Sequence, residues 1–460
     1  MTEVQRAKQL GFVYEVCAGF QFDLNSVNKK VYAGYAEGHF CDHNCTSDYG
    51  NYDCPAAFSR NKDVVPQSMM NLPAIHRALE VAMAGLRLAN QQFLEQYFEP
   101  YTQDFAIPKP LAESLREILR PGQLELNMFG GNPELHPEFI AIIGLAQGLG
   151  YRVTTTTTGK RLLHDEEFVQ GFLANPPQLL AVSADDFESL DELQRLLDMS
   201  PADLRRYWQK ANPLYGQRKK AYESIYVAQL LRQHPGRCAL LFNIVVHPGN
   251  LHFVHDLMGI LHEQFPDAWL NPYPAQASFS FGQIEWEAHD LPRLGEFLER
   301  MIERQLTEAT DGTRTLVPRL PYWLALKSAF TTSRDMDEAA RYLMGYGVWT
   351  CYRQPGAGRY LQAGSAEVAR QATFAGGGHP GCFWNNRTVT DHTRQLWDMS
   401  PADVAEHLLR GKTTLARQAD PACPGCIMPR LMFDGISVEL GLNPRLVPEY
   451  LRLRQAYLGF

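Results

Sequence analysis

Short apolar segments alternate with longer amphipathic segments over the middle of the chain. The pattern predicts strands at Leu124–Phe129, Tyr151–Thr157, Leu179–Ser183 and Ala239–Val246. These segments are rich in Val, Leu and Thr without clean two-residue alternation, which is typical of strands covered on both faces. The alternation of strands with helices predicts an α/β fold with a parallel sheet, either open or curved into a barrel.

Helices are predicted where apolar residues recur at helical spacing. The predicted ranges are 70–97, 111–119, 137–149, 165–173, 200–208, 221–233, 251–265, 291–306 and 335–344. Beyond residue 274 the pattern changes to helices followed by Gly- and Cys-rich sequence, which indicates a second domain.

One short sequence occurs twice, as Leu197–Asp203 and as Trp397–Asp403, sharing Asp-Met-Ser-Pro-Ala-Asp. In both copies Ser can cap a helix, Pro can occupy its first position and Asp can interact with the helix dipole. The echo is too short for a repeat architecture, so we predict two similar helix starts.

Composition narrows the possible functions. The chain has 460 residues and a formal net charge of -8, from 43 Lys+Arg and 51 Asp+Glu, so general nucleic-acid binding is not expected. The longest apolar runs are far shorter than the roughly 20 residues of a membrane span. The N-terminus has no apolar signal region, so a cytoplasmic location is expected. In that reducing compartment cysteines serve more often as metal ligands or thiols than as disulfides.

Seven of the nine cysteines fall into two groups. Cys41, Cys45 and Cys54 have the spacing C-x3-C-x8-C in a segment that contains Gly and Asn. Three thiolates in one short segment suit an iron-sulfur cubane with one iron lacking a protein ligand, or a zinc ion completed by His39 or His43. A chance grouping is the third alternative.

The second group lies near the C-terminus and contains Cys351, Cys382, Cys423 and Cys426. Four thiolates can close a site completely, around either zinc or an iron-sulfur cluster. The remaining two, Cys17 and Cys238, have no sequence partner, and Cys238 is expected to be a buried small apolar side chain.

The order of the motifs resembles that of the radical S-adenosylmethionine (SAM) enzymes. That family has a C-x3-C-x2-C loop, then a partial barrel whose second strand ends in Gly-Gly-Glu-Pro. Here Gly130-Gly131-Asn132-Pro133 follows the second predicted strand, and Thr157-Thr158-Gly159 resembles the family's Thr-Asn-Gly. The segments 179–193 and 241–258 resemble its fourth and fifth strands, so the resemblance covers roughly 31–274.

The C-terminal cysteines resemble the auxiliary-cluster domain called SPASM or, in its shorter form, twitch. The resemblance implies a partial (β/α)6 TIM-like barrel with a smaller C-terminal auxiliary-cluster domain. The implied organisation is an N-terminal segment at 1–30, a radical SAM core at 31–280 with a helical insertion at about 66–110, and a helical, Cys-rich domain at 281–460.

Two departures from the family pattern bear on the cofactor. The third cysteine is displaced, because Asp48 stands three residues after Cys45 and the next cysteine is Cys54. Since thiolates outrank carboxylates as ligands of iron-sulfur irons, Cys54 is preferred over Asp48. Asn132 stands where the family has Glu, and its amide oxygen can still accept a hydrogen bond from the SAM amino group.

The resemblance implies a [4Fe-4S] cluster with SAM at the N-terminal cysteines and a second [4Fe-4S] cluster, or zinc, at the C-terminal ones. The implied reaction cleaves SAM reductively to a 5′-deoxyadenosyl radical, which abstracts hydrogen from a substrate. The residues implied to contact SAM are Gly130, Gly131, Asn132, Pro133, Thr157, Ser183 and Asp185. No catalytic side chain is implied. Because strand ends gather at one edge, Gly130, Thr157, Ser183 and 243–247 are expected to lie there together.

The expected partners are a small-molecule or peptide substrate and a flavodoxin-type reductase as electron donor. The alternative from another class is a zinc- or cluster-stabilised barrel that binds a partner without catalysis. His247, His252 and His255 have spacing that suggests a metal site, but hydrogen-bonded or solvated histidines are the preferred interpretation. The aromatic segment 93–110 is interpreted either as a lid over the site or as a packing helix.

Overall fold

The computed structural model describes the central part of the chain and a few later segments. The described residues are 30–34, 72–93, 95, 99, 124–129, 133–184, 187–211, 220–275, 286–311, 315–316, 322–323, 326–327, 329–330, 360–362 and 399–405.

One parallel sheet organises these residues. Its strands are β1 (Lys30–Gly34), β2 (Leu124–Phe129), β3 (Tyr151–Thr157), β4 (Leu179–Ser183), β5 (Ala239–Val246), β6 (Trp269–Pro274) and β7 (Tyr360–Gln362). The order across the sheet is β6-β5-β4-β3-β2-β1-β7, and every pairing is parallel. Six strands in sequential order form the succession of a (β/α) barrel, whereas a doubly wound sheet reverses its order at a switch point. The predicted α/β class and partial barrel are therefore confirmed, with a sheet that does not close within the described residues.

Helices fill the connections between consecutive strands. They are α1 (Leu72–Phe93), α2 (Phe139–Gly148), α3 (Lys160–His164), α4 (Glu166–Ala174), α5 (Leu190–Leu197), α6 (Pro201–Ala211), α7 (Lys220–Gln233), α8 (Val254–Gln264) and α9 (Asp290–Asp311). Most lie within a few residues of the predicted ranges. The sequence pattern missed α3 and α5, and the predicted helices at 111–119 and 335–344 lie outside the described residues. None of the described helices is long and apolar enough to cross a bilayer.

The core lies between the helices and one face of the sheet. Tyr151 of β3 donates a hydrogen bond from its hydroxyl to the Leu79 carbonyl of α1 at 2.7 Å, and burial in this layer raises the pKa of that phenol. Phe242 of β5 lies 5.7 Å from the Phe265 ring that follows α8. Because side chains alternate along a strand, odd-numbered residues of β3 and even-numbered residues of β4 to β6 share this helix-covered face.

Strand β6 contains two prolines, which explains why the sequence pattern gave it no strand of its own. The Ala275 N–H donates to the Val246 carbonyl of β5, whereas the Leu270 N–H donates to the Thr315 carbonyl on the opposite side. Pro272 and Pro274 have the parity of Leu270, so the N–H groups that they lack would point away from β5. The β5–β6 ladder is therefore intact, in keeping with the rule that proline is tolerated where no ladder bond is required.

Helix α9 returns the chain to the sheet beyond β6. Its Leu294, Phe297, Leu298 and Met301 belong to the same core as the rest of the barrel, and Leu316 forms a parallel bridge with Leu270. The domain boundary at residue 280 stays a prediction. In the structure, α9 and Leu316 pack with the elements that precede that boundary.

The two Asp-Met-Ser-Pro-Ala-Asp sequences start helices in the same way, as predicted. The Ser200 hydroxyl accepts from the Asp203 N–H at 3.1 Å, and the Ser400 hydroxyl accepts from the Asp403 N–H at 3.2 Å. In each copy the Ser hydroxyl also donates to the Asp carboxylate at 2.6 Å. Both serines are therefore N-caps of helices that begin with proline.

Candidate functional site

The carboxyl ends of the parallel strands meet at one edge of the sheet. Gly34, the last residue of β1, pairs in register with Phe129, the last residue of β2. The Gly130-Gly131-Asn132 segment and the segment that carries Cys41 therefore leave the sheet from adjacent strand ends, with Cys41 seven residues beyond Gly34. Ligand sites of parallel β/α proteins lie at this edge.

The face of the sheet opposite the helices carries neutral polar side chains. We call it the polar face and define it by Thr154, Thr156, Ser183, Asn243 and Asn271, all of which share that side by strand alternation. Four of these are half-buried, whereas Thr154 is buried. The sequence predicted strands covered on both faces, yet this second face presents hydrogen-bonding groups.

Three of these polar residues form one row across neighbouring strands. Ser183 is in register with Asn243, and Asn243 is in register with Asn271. The Asn271 side-chain N–H donates to the Asn243 side-chain oxygen at 2.8 Å. We call this pair the amide pair.

A buried carboxylate connects the ends of β2 and β3. Glu134, in the short 3-10 turn Pro133–Leu135 after β2, is 1% exposed. One of its carboxylate oxygens accepts from the Thr157 hydroxyl, and the other accepts from the Arg161 N–H at 2.8 Å. The Arg161 guanidinium donates to the Glu134 carbonyl at 2.8 Å and lies over the Phe168 ring at 4.1 Å. These contacts, here called the Glu134 network, fix the chain immediately after the Gly-Gly-Asn-Pro sequence.

Gly159 makes the turn from β3 into α3 with a backbone conformation that favours glycine. Its φ is +83°, and a Cβ at this position would lie 2.6 Å from the Val227 side chain of α7. Both the left-handed backbone and the close approach therefore require glycine. The Gly159 N–H donates to the Thr157 hydroxyl at 2.9 Å, so the turn and the Glu134 network are joined.

Three of the seven residues implied to contact SAM are among the described residues, and four are not. Gly130, Gly131, Asn132 and Asp185 lie outside the described residues. Pro133 is buried at the start of the 3-10 turn, Thr157 is 3% exposed on the helix-covered face, and Ser183 is half-buried on the polar face. The structure brings Pro133 and Thr157 together through Glu134, whereas Ser183 belongs to the row with Asn243. The cofactor roles of all seven stay predictions.

All seven grouped cysteines lie outside the described residues: Cys41, Cys45, Cys54, Cys351, Cys382, Cys423 and Cys426. Within the described residues no group of three His, Cys, Asp or Glu side chains is placed to hold a metal ion. The described cysteine, Cys238, is a half-buried free thiol whose sulfur lies 3.4 Å from the Ala239 carbonyl. Burial raises the pKa of Cys238 to about 12, so its thiol is protonated at neutral pH.

His247 serves the backbone at the end of β5. It is buried, and its Nδ1 accepts from the Gly249 N–H at 3.2 Å. The Asn250 side chain accepts from the His247 N–H at 2.9 Å and donates to the Val245 carbonyl at 2.8 Å. His247 is hydrogen-bonded, as the preferred interpretation of the sequence expects, while His255 is on α8 and interacts with Asp256.

Sequence reasoning gave no role to Glu134, Arg161 or Asn271. Glu134 directly follows the Gly-Gly-Asn-Pro sequence, but nothing in the sequence shows that Arg161, 27 residues later, reaches it. Asn271 lies in a proline-containing segment that was not predicted to be a strand, so its pairing with Asn243 could not be predicted either.

Comparison with known proteins finds solved structures of partial similarity. No protein-family model matches the sequence, and no curated protein sequence matches it significantly. Hexahistidine-tagged anSMEcpe with bound AdoMet is similar at a TM-score of 0.46 and 12% identity, over 94% of this chain and 95% of that chain. Native anSMEcpe with bound AdoMet and Cp18Cys peptide is similar at 0.46 and 13%, over 94% and 99%. Streptococcus suis SuiB bound to precursor peptide SuiA is similar at 0.43 and 12%, over 88% and 70%.

At TM-scores of 0.43–0.46 and 12–13% identity, these similarities carry no argument about the family or function of this chain. Function is therefore inferred from the residues of this chain.

Proposed function

We propose that the protein is a radical SAM enzyme that abstracts hydrogen from a small-molecule or peptide substrate held over the polar face. The observation that carries the proposal is the parallel order of β1 to β4, whose carboxyl ends lie at one edge of the sheet. The segments that follow β1, β2, β3 and β4 carry Cys41, Gly130, Gly159 and Asp185 respectively, and these four strands are neighbours in the sheet.

Under this proposal the polar face contributes hydrogen-bonding groups to SAM at Ser183 and to the substrate at Asn243 and Asn271. Ser183, Asn243 and Asn271 offer neutral hydrogen-bonding groups, and no charged side chain other than the exposed Arg152 lies on this face in the described parts of β3 to β6. Both oxygens of the Glu134 carboxylate accept hydrogen bonds from the protein itself, one from Thr157 and one from Arg161. The Glu134 carboxylate is therefore already engaged and does not substitute for the carboxylate that Asn132 replaces.

Under this proposal Cys41, Cys45 and Cys54 hold a [4Fe-4S] cluster, and SAM bound to it supplies a hydrogen-abstracting radical after one-electron reduction. Under the same proposal, the residues of the chain position SAM and shield it from solvent. Gly130 and Gly131 allow close backbone approach, Asn132 accepts from an amino group, and Ser183 and Asp185 bind hydroxyl groups.

The C-terminal cysteines Cys351, Cys382, Cys423 and Cys426 are proposed to hold a second, closed cluster or zinc site. A closed site is structural or transfers electrons, whereas an open site binds substrate. The electron donor is proposed to be a flavodoxin-type protein.

Metal analysis and spectroscopy test the assignment. After anaerobic purification, the wild-type chain is expected to contain iron and acid-labile sulfide, and addition of SAM should change the electron paramagnetic resonance spectrum of the reduced cluster. The Cys41→Ala, Cys45→Ala and Cys54→Ala variants should each lose the SAM-dependent change, while Cys238→Ala, the matched control, should keep it. Zinc alone, with no sulfide, would favour the non-catalytic barrel and contradict the proposal.

A further inference from the structure

We propose that the amide pair, Asn243 and Asn271, recognises a neutral amide group of the substrate. This inference rests on the proposed function, because it names the part of the substrate that lies over the polar face. Its basis is the hydrogen-bonding pattern of the two side chains and the apolar residues that flank them on the described parts of β5 and β6.

The pair offers one donor and one acceptor to a bound molecule. Each Asn side chain has two N–H donors and a carbonyl acceptor. The internal bond uses an N–H of Asn271 and the oxygen of Asn243, which leaves the Asn243 amide nitrogen as donor and the Asn271 oxygen as acceptor. Within the described part of the chain neither amide makes a further side-chain hydrogen bond, and both residues are half-buried.

Register holds these two groups side by side. Asn243 and Asn271 occupy paired positions on adjacent parallel strands, which lie about 4.8 Å apart. The C=O and N–H of a trans secondary amide point in opposite directions, whereas a primary amide presents a carbonyl acceptor and one N–H donor on the same edge. A primary amide can accept from Asn243 and donate to Asn271 at the same time, whereas a carboxylate has acceptor atoms only and would face the Asn271 oxygen unfavourably.

Apolar residues flank the pair along both strands. Leu241 and Trp269 lie two residues before the pair on the same face. Val245, Tyr273 and Ala275 form a small apolar cluster on that face beyond the pair, toward the carboxyl ends of the strands. Hydrogen bonds discriminate more strongly in such surroundings, and a charge is costly there unless it is paired. The pair is therefore suited to a neutral amide and poorly suited to an anion.

Ligand-observed saturation-transfer NMR on the full-length protein tests this inference with two defined probes. Propionamide supplies the neutral primary amide, and propionate supplies the same skeleton with a carboxylate. The wild-type protein is expected to bind the amide about tenfold more tightly than the carboxylate, corresponding to one well-formed hydrogen-bond pair. Equal affinity for the two probes would overturn the inference.

Variants assign the selectivity to the pair. Asn243→Leu and Asn271→Leu are expected to lower amide affinity about tenfold, and Asn243→Asp, which replaces the donor with an acceptor, provides a conservative second test if a Leu variant does not fold. Gln194→Leu removes an exposed amide on α5 and should leave the selectivity unchanged. Unchanged selectivity in a folded Asn243 or Asn271 variant would contradict the proposal.

The adenine edge of SAM also combines a donor with an acceptor, so the amide pair could in principle bind the cofactor instead of the substrate. Measuring SAM affinity distinguishes the two. The amide-pair variants are expected to retain SAM affinity within about twofold, since tenfold is the loss expected for a missing hydrogen-bond pair. A loss of SAM affinity with intact amide selectivity would overturn the inference. Failure of the proposed function is distinguishable, because it would appear as no SAM cleavage in a protein that still prefers the amide probe.

Discussion

Glu134 is a buried carboxylate whose partners come from two later segments of the chain. Thr157 ends β3, and Arg161 lies within α3, so one side chain connects the end of β2 to both elements. Loss of a buried acceptor of this kind destabilises the fold, because each donor that is left without a partner costs free energy. The Glu134 network is therefore expected to be essential for the geometry of the carboxyl edge.

Removal of this carboxylate should destabilise the fold. Glu134→Ala leaves the Thr157 hydroxyl and the Arg161 N–H without their acceptor, and we expect the free energy of unfolding to fall by about 2–4 kcal/mol. Glu134→Gln keeps one acceptor and should cost less. Urea unfolding measures both, with the exposed neighbour Glu138→Ala as control. A Glu134→Ala variant as stable as that control would show that the network contributes nothing.

Asp165 provides a pH-dependent contribution at the start of α4. Its carboxylate accepts from the Phe168 N–H at 2.9 Å and lies 3.2 Å from the Arg161 Nε. The Phe168 hydrogen bond, with help from Arg161, lowers the pKa of Asp165 below its usual value of 3.8. Because the folded pKa is the lower one, the stabilisation is present above the unfolded pKa and is lost as the pH falls through the folded pKa.

The Asp165→Asn variant should reveal this dependence. Asn remains a good N-cap but carries no charge, so the variant should be less stable than wild type at pH 7. The difference in stability should shrink as the pH falls below the unfolded pKa of about 3.8 and vanish below the lower, folded pKa. Thermal unfolding over a pH series measures it. A difference that stays constant down to the lowest pH at which both proteins fold would contradict the assignment.

At the scale of elements, the sequence was most informative where one local rule sufficed. The four predicted strands have the predicted ends, because each is a short segment rich in strand-favouring or apolar residues and bounded by turn residues. The two Ser-Pro-Ala-Asp helix starts were also predictable, since capping depends on neighbours in sequence. Strand β6 was not, because the tolerance of Pro272 and Pro274 depends on which side of the strand pairs with β5.

The twin helix starts allow the same substitution to be made in two places. Ser200→Ala and Ser400→Ala each remove an N-cap acceptor, and each should cost about 1 kcal/mol of stability. Ser400→Asn keeps an acceptor and serves as the matched control. Hydrogen exchange of the first turn of each helix should accelerate in the Ala variants. Equal protection in Ser400→Ala and Ser400→Asn would mean that the cap does not stabilise the second helix.

At the scale of the whole molecule, residues distant in sequence share one core. Met399, Val404 and Ala405 are buried in the same cluster as the residues of α1 and the sheet. A Cβ added at Gly85 of α1 would lie 2.5 Å from the Val404 side chain. Gly85 therefore allows the segment 399–405 to pack closely against α1. Sequence alone could not show this contact, since more than 300 residues separate the partners.

Two glycine-to-alanine changes in helices should have opposite effects. Gly85→Ala overlaps with Val404 and should destabilise by about 1–3 kcal/mol. Gly295→Ala in α9 meets no atom within 4 Å. That change should stabilise by up to about 1 kcal/mol through helix propensity. Thermal unfolding compares them, and a stabilised Gly85→Ala variant would show that the close packing with Val404 is not required.

The carboxyl edge could be located from sequence because parallel β/α folds place strand ends together. Gly130, Thr157 and Ser183 were each assigned to it from the strand that precedes them. The partners that fix or line the edge, Glu134 and Asn271, depend on contacts between segments, which the order of the motifs does not contain.

The measurement that bears most directly on the proposed function is the formation of 5′-deoxyadenosine. The anaerobically purified protein is reduced with dithionite in the presence of SAM, and the nucleoside is quantified by mass spectrometry. The wild-type protein and Cys238→Ala should produce it, and variants lacking Cys41, Cys45 or Cys54 should not. An iron-containing wild-type protein that forms no 5′-deoxyadenosine, or a Cys54→Ala variant that forms it at the wild-type rate, would contradict the proposed cluster and its chemistry.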